Sequence, residues 1–313
     1  MKRLSNITLV VCTKNRQDFI KRLIKSINLQ NVLPKYFIII DDIKSSPPLP
    51  SSIINSVNSR IKTKHYKVKY CSISQSRNFA FTKCNSPIFI SVDDDIVLPQ
   101  KYISTIEKLH QLFPNKIGFV CKIKAFSKDP LSLTGQYIMN GRCLDGEALM
   151  YSHTAAYSLN WSVFKNIGLN FDNGLDTGED VDFFIRLKKN GYPIFFTTKT
   201  YVFHDFNSHK NGILRYVSYG KCRIKISLKH PLQFNYLWCL PQRKLDFIFF
   251  LPLFIKNIIR LTYQDYESIH LPIWLLPFMI SAKAALLLGM ILSKEGKEII
   301  KNNFKKSFPF FYH

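Results

Sequence analysis

Along the first 125 residues, unbroken apolar runs alternate with helically spaced ones. Residues 6–12 (NITLVVC), 37–40 (FIII) and 88–92 (IFISV) are continuous and rich in β-branched or aromatic side chains. Strands covered on both faces read this way, whereas a half-exposed strand alternates apolar and polar positions. Between the first two runs, Phe19, Ile20, Leu23, Ile24 and Ile27 recur at the spacing of one helix face, within residues 16–29. Strand, helix, strand predicts a βαβ unit and a parallel sheet. A second helix is predicted over 76–83 and a third over 101–112, the latter on Ile103, Ile106, Leu109 and Leu112; residues 118–123 predict a further strand. Sheets of this kind take ligands beyond the carboxyl ends of their strands. Cys12-Thr13, Asp41-Asp42 and Asp93-Asp94-Asp95 each fall at such an end, so three separate polar motifs are expected to face one crevice.

The pattern changes near residue 215, which predicts a catalytic or ligand-binding domain over 1–214 and a helical, basic and apolar region over 215–313. Residues 245–251 and 253–261 are strongly apolar, separated by Pro252 and interrupted by Lys256 and Arg260. Residues 271–292 are long enough for a membrane span, which needs about 20 apolar residues. Pro272 and Pro277 interrupt the first part, and Lys283 would lie deep in lipid at a substantial cost. The basic residues Lys294, Lys297, Lys301, Lys305 and Lys306 suit an anionic surface. Helices lying in the membrane interface are the favoured expectation. A true span and a buried core hairpin are the alternatives.

Composition narrows the partners without choosing one. The chain of 313 residues is 46% hydrophobic and 14% aromatic, as a globular protein is, and shows no repeat. Its formal net charge is +23, with basic residues exceeding acidic ones 29 to 16 in 1–210 and 15 to 5 in 211–313. Nucleic acid, an anionic membrane or a phosphate-rich substrate would each answer such an excess. No nucleic-acid module is recognisable. Seven scattered cysteines without a CxxC pair read as reduced thiols of a cytoplasmic protein.

Against this charge, half of the 16 acidic residues in 1–210 fall in three short stretches: Asp41-Asp42, Asp93–Asp95, and Glu179, Asp180 and Asp182. Adjacent carboxylates at a strand end repel one another unless a cation is present. Hard ions such as Mg²⁺ or Mn²⁺ prefer oxygen ligands and are held by one or two carboxylates plus substrate phosphates. A nucleoside diphosphate substrate follows, with the metal stabilising charge on a departing diphosphate. Glu179 and Asp180 follow Gly178 and open a helical run that ends at Asn190-Gly191. A helix N-terminus favours the charged carboxylate, so Asp180 is expected to be ionised at neutral pH and able to accept a proton.

The series VVCTKNR (10–16), IIIDD (38–42), SQSRNFA (74–80), SVDDD (91–95), IGLNFDNGL (167–175), GEDVDFFIRLKKNGY (178–192) and VFHD (202–205) resembles the family 2 glycosyltransferases. The resemblance covers roughly the first 210 residues and rests on the order and spacing of the pieces. It implies a GT-A fold, Rossmann-like with a mostly parallel sheet flanked by helices, and a C-terminal helical, membrane-associated extension. It implies an inverting, metal-dependent enzyme that moves a sugar from a nucleotide-sugar donor, a UDP-sugar first, to a lipid-linked or polysaccharide acceptor. The implied site at the cytoplasmic face of the plasma membrane would have the following parts. Thr13, Asn15 and Arg16, with Asp41 or Asp42, hold the nucleoside, and Arg77 lies near the nucleotide. Asp93 and Asp95 match the metal-binding DxD, with Asp94 as an alternative ligand or ribose contact. His204 stands near the metal or diphosphate. Asp180 is the general base and Glu179 orients the acceptor. Three places depart from the family pattern: Ile43-Lys44 stands where Gly-Ser is usual, Ala80 where Gly is frequent, and SLNWS where an arginine often precedes Val163. A nucleotidyltransferase of related fold would use the same metal, but its glycine-rich, lysine-bearing phosphate loop is missing from VCTKNRQDF. A non-enzymatic basic membrane- or nucleic-acid-binding protein is the remaining alternative.

Overall fold

A computed structural model of the chain describes residues 2–44, 47–70, 72–141, 143–175, 177–206, 214–243, 245–246, 249–269 and 272–307. Two compact units divide it. One comprises 1–126 and 143–205, the other 127–142 and 206–313. Residues 127–142 thus belong with the C-terminal helices, a division that a linear reading of composition does not contain.

The first unit is built on one mixed sheet of eight strands: β1 (Arg3–Thr13), β2 (Val32–Asp42), β3 (Lys62–Val68), β4 (Ile88–Asp93), β5 (Ile96–Val97), β6 (Gly118–Ala125), β7 (Ala156–Asn160) and β8 (Phe195–His204). Their spatial order is β3-β2-β1-β4-β7-β6-β8-β5. The half containing β1 to β4 is parallel, as the continuous apolar runs predict. Val10, Ile38, Ile39, Ile40 and Ile90 are buried. The other half mixes directions: β7 runs antiparallel to both β4 and β6, and β6 is parallel to β8.

Helix α1 (Gln17–Asn28) buries Ile20, Leu23, Ile24 and Ile27, the face that the spacing indicates. A short α2 (Ser51–Asn55) precedes β3, and α3 (Ile73–Phe81), capped by the Ser72 side chain on the Gln75 N–H, precedes β4. Helix α4 (Tyr102–Leu112) buries Ile103, Ile106 and Leu109 of the predicted face, whereas Leu112, at its last turn, is exposed. After α5 (Pro130–Asn140) of the other unit, a four-residue α6 (Trp161–Phe164) follows β7, and α7 (Glu179–Lys189) precedes β8. An aromatic cluster fixes α7. Phe183 stacks on Phe171 at 4.2 Å, and Phe171 stacks in turn on Phe81 at 5.7 Å. Trp161 packs on Phe81, Phe89 and Phe164, so it is part of this core.

The second unit is helical: α5, α8 (Leu214–Lys229), α9 (Phe250–Ile269), α10 (Leu276–Leu292) and α11 (Lys294–Ser307). Helices α8 and α10 touch backbone to backbone. A Cβ on Gly220 would lie 1.9 Å from the Leu286 carbonyl oxygen, and one on Gly289 2.0 Å from that of Val217. Pro252 is accepted in the first turn of α9, where the missing N–H has no intrahelical partner to lose. Pro277 sits in the first turn of α10 for the same reason. Ile273–Leu292 is the one described stretch long and apolar enough to cross a membrane, with mean hydropathy 2.1, and half of it is buried in the fold. Lys283 is among the buried residues. Leu271, the first residue of the predicted span, and Cys71 lie outside the described residues, and the six described cysteines are free thiols.

Candidate active site

The sheet register brings the three polar motifs level. Thr13 at the end of β1 stands opposite Asp41 of β2, and Cys12 stands opposite Asp93 of β4. Beyond this edge the chain turns through Asn15, which takes a left-handed φ of 52° that asparagine tolerates. The turn puts Arg16 at the mouth of α1, with its guanidinium donating to Asp94 and, at 3.2 Å, to Asp95. Thr13 Oγ1 donates to Asp94 Oδ2 at 2.7 Å. Asp94 and Asp95 are 4% and 3% exposed, so the acidic cluster is an enclosed feature and not a solvated turn.

Arg77 joins this cluster to the second acidic pair. It lies on the inner face of α3, 5% exposed, and donates to Glu179 at 2.5 Å and to Asp93 at 3.1 Å. Burial disfavours its charge, but Asp93 and Glu179 outweigh that and hold the guanidinium protonated. Glu179 and Asp180 open α7 because Gly178 adopts φ 76°, a backbone state that an L side chain resists.

The electrostatics of Asp180 differ from the helix-terminus expectation. Burial, and then the adjacent Glu179, push its carboxyl up to about 7, overriding both Arg77 and the hydrogen bond that Oδ1 accepts from the Val181 N–H. Desolvation acts on the whole charge, whereas the helix dipole contributes only a partial one. Burial and the like charge of Asp95 likewise push Asp94 up to about 7 against the pull of Arg16. Asp93 is raised by desolvation, with Arg77 opposing. Asp182, in the same first turn, is fully buried and tied to Arg186 at 2.7 Å.

His204 ends β8 and is 7% exposed, with Nε2 at 3.6 Å from Asp95 Oδ1. One ligand atom from each of Asp93, Asp95 and His204 lies within 4.8 Å of the other two. Two carboxylate oxygens and an imidazole nitrogen so close together fit a divalent cation, and the nitrogen suits Mn²⁺ better than Mg²⁺.

The second-strand aspartates are placed at the same edge but are engaged locally. Asp41 is fully buried; its Oδ2 accepts from the Leu49 N–H at 2.7 Å and lies 3.0 Å from His65 Nε2. Among the described residues its Oδ1 has no hydrogen-bond partner. Asp42 accepts from the Lys44 N–H at 2.9 Å, which closes the turn where Ile43-Lys44 replaces the usual pair, and its Oδ2 is 3.7 Å from Lys14 Nζ.

Two features escaped the sequence reading. The double pairing of Arg77 needs α3 and α7 side by side. His153, which lies outside every motif and was given no role, leads into β7; among the described residues both its ring nitrogens are buried and without a hydrogen-bond partner, and burial pushes it down to about 4.

Three comparisons bear on this arrangement. No curated protein matches the chain. Among solved structures, a mannosyltransferase from Pyrobaculum calidifontis, PcManGT, in complex with GDP-Man and Mn²⁺, is 15% identical with a TM-score of 0.56, over 96% of this chain and 84% of that one. S. aureus TarS 1-349 in complex with UDP-GlcNAc is 13% identical with a TM-score of 0.53, over 98% and 93%. A longer S. aureus TarS chain matches over 95% of this chain, which spans only 55% of its length, at 13% identity and a TM-score of 0.53. These likenesses identify the GT-A fold. Residues 8–169, just over half of the chain, match the family described as Glycosyl transferase family 2. With the acidic strand ends of a GT-A sheet and this family match together, the chain belongs to glycosyl transferase family 2 and is a glycosyltransferase.

Proposed function

We propose that this enzyme transfers a sugar from a nucleotide-sugar donor, a UDP-sugar first, to a lipid-linked or polysaccharide acceptor, with inversion and with a divalent cation. The observation that carries this reading is the Arg77 bridge, which ties the Asp93–Asp95–His204 cluster to the carboxylates at the start of α7. Donor phosphates and an attacking hydroxyl would meet between these two groups. The complexes of PcManGT with GDP-Man and Mn²⁺ and of TarS with UDP-GlcNAc support a nucleotide-sugar and leave the base open between uracil and guanine. Family membership replaces the nucleotidyltransferase and non-enzymatic alternatives.

Asp93, Asp95 and His204 would hold Mn²⁺ or Mg²⁺, which when bound supplies positive charge against the departing diphosphate. Thr13, Asn15 and Arg16 line the donor end of the crevice, with Asp94 fixed by Thr13 and Arg16 toward the ribose. Asp41, through its unpartnered Oδ1, or Asp42 contacts the nucleoside. Asp180 accepts the proton of the acceptor hydroxyl as that oxygen attacks the anomeric carbon, and its position near 7 is where a general base works best at neutral pH. Arg77 holds Glu179 in place to orient the acceptor.

For the C-terminal unit the proposed partner is an anionic membrane surface at the cytoplasmic side, bound peripherally or monotopically. On α9, Leu251, Ile255, Ile259 and Tyr263 recur every fourth residue and are 66%, 49%, 62% and 56% exposed. Such a stripe, beside exposed Lys256 and Arg260 and the lysines of α11, matches the chemistry of lipid acyl chains under anionic headgroups. The buried half of Ile273–Leu292 favours this over a span.

The test is a panel of UDP- and GDP-sugars incubated with the protein and a membrane extract as acceptor source. Nucleoside diphosphate release should need an added divalent ion, stop with EDTA and return with Mn²⁺. Full release in metal-free buffer would remove the cation from the reading, and no release from any donor would remove the proposed reaction.

A further inference from the structure

We propose that His153 donates a hydrogen bond to the sugar-linked phosphate of the donor's diphosphate, a contact outside the cation's own ligands; this rests on the nucleotide-sugar reading above. Among the described residues, His153 is the one histidine with both ring nitrogens buried and without a hydrogen-bond partner. Buried polar groups in native structures are nearly always paired, because leaving one unpaired is costly. His110, by contrast, uses Nε2 on Ser158 at 2.9 Å. A ligand that supplies an acceptor would complete this imidazole.

Its location indicates the ligand. Two residues on, the Ala155 carbonyl accepts the Asp93 N–H at 2.9 Å, and Ala156 pairs with Val92. These bonds clamp the strand that His153 leads into against the end of β4, at Asp93. The ring is also close enough to His204 for the two imidazoles to influence each other electrostatically. Yet His153 is not one of the residues whose ligand atoms cluster within 4.8 Å. It borders the cation site without completing it. What a cation in that site presents to its surroundings is the anion it carries, and a diphosphate offers oxygen acceptors to a ring N–H. The neutral imidazole, with one donor nitrogen, suffices.

The experiment is calorimetric binding of UDP, GDP, UMP and GMP at fixed Mn²⁺ to the full-length protein and to His153→Phe and His153→Gln. For whichever base binds, His153→Phe should weaken the diphosphate about tenfold and the monophosphate less than twofold, the loss expected of one charge-assisted hydrogen bond. His153→Gln retains an N–H donor and should recover most of that loss. Mn²⁺ affinity, read from the free-ion electron paramagnetic resonance signal, should be unchanged. If His153→Phe does not fold, His153→Ala serves for the same comparison. Equal weakening of di- and monophosphate, no weakening of either, or a loss of Mn²⁺ affinity would overturn the assignment while leaving the proposed function intact. A wild-type protein that binds neither diphosphate would overturn both.

Discussion

Asp180→Asn removes the proposed base while keeping the shape and an oxygen for the Val181 N–H, bonded at 2.8 Å by Oδ1. A positioned general base contributes about 10²- to 10⁴-fold, so the turnover number should fall by that range while nucleoside diphosphate affinity stays within about twofold. The pH profile gives a sharper test. Asp180 sits at about 7, above an ordinary carboxylate, and its working form is the deprotonated one. The ionised fraction is then about 0.09 at pH 6 and about 0.91 at pH 8, so turnover should rise about tenfold over that interval and level off above it. Asp94 also sits at about 7 but lies on the donor side. Measuring turnover at saturating donor therefore isolates Asp180. The same shift has a stability sign: the folded state holds this proton more tightly than the unfolded chain, so its contribution to stability falls as pH rises from about 4 to about 7. Asp180→Asn should flatten that part of the stability profile. The assay is nucleoside diphosphate release between pH 5.5 and 8.5. Turnover that is flat from pH 6 to 8, or a mutant with wild-type turnover, would refute the reasoning.

Arg77→Ala should leave Glu179 and Asp93 without their shared counterion. Removing one partner of a buried ion pair costs about 3–5 kcal/mol, with the lower end appropriate because the Asp93 side chain is 34% exposed. Thermal unfolding should shift down by several degrees, and an unchanged midpoint would mean that the bridge is not structural. The double variant Ile255→Glu/Ile259→Glu changes two exposed positions and should abolish sedimentation with vesicles rich in anionic lipid while leaving the fold intact. Wild-type protein that fails to sediment with such vesicles at low salt, or a variant that still sediments, would rule out the α9 stripe as the contact surface.

Much of the catalytic unit was legible in the chain. Continuous runs such as VVC and FIII predict strands covered on both faces, and α1 and α4 bury the apolar faces that their spacing indicates, except that Leu112 at the end of α4 is exposed. The mixed half of the sheet was legible only in part: residues 118–123 predict β6, but the antiparallel β7 between it and β4 was not foreseen, and in the parallel half β3 was missed. Residues 62–68 (KTKHYKV) have little apolar character, yet they form β3, because the edge of β2 supplies their hydrogen bonds. Pairing of this kind is a long-range contact that leaves little local signature. The grouping of 127–142 with the C-terminal helices escaped for the same reason: Leu133, Tyr137 and Ile138 find their apolar partners in Leu275 and Met279, far along the chain.

The sequence by itself determined the ingredients of the site: three aspartates after a buried strand, a Gly-Glu-Asp at a helix start and a histidine at a strand end. Residue type and local pattern suffice for these, because strand and helix periods are properties of neighbouring residues. Only the tertiary structure decided how they are electrically connected. It placed Arg77 between Glu179 and Asp93, put Arg16 on Asp94 and Asp95, and left His153 without a partner beside His204. It also brought Asp180 from the expected full ionisation to about half ionised at neutral pH, since the cost of taking a charge out of water depends on everything that surrounds it, and no stretch of sequence carries that information.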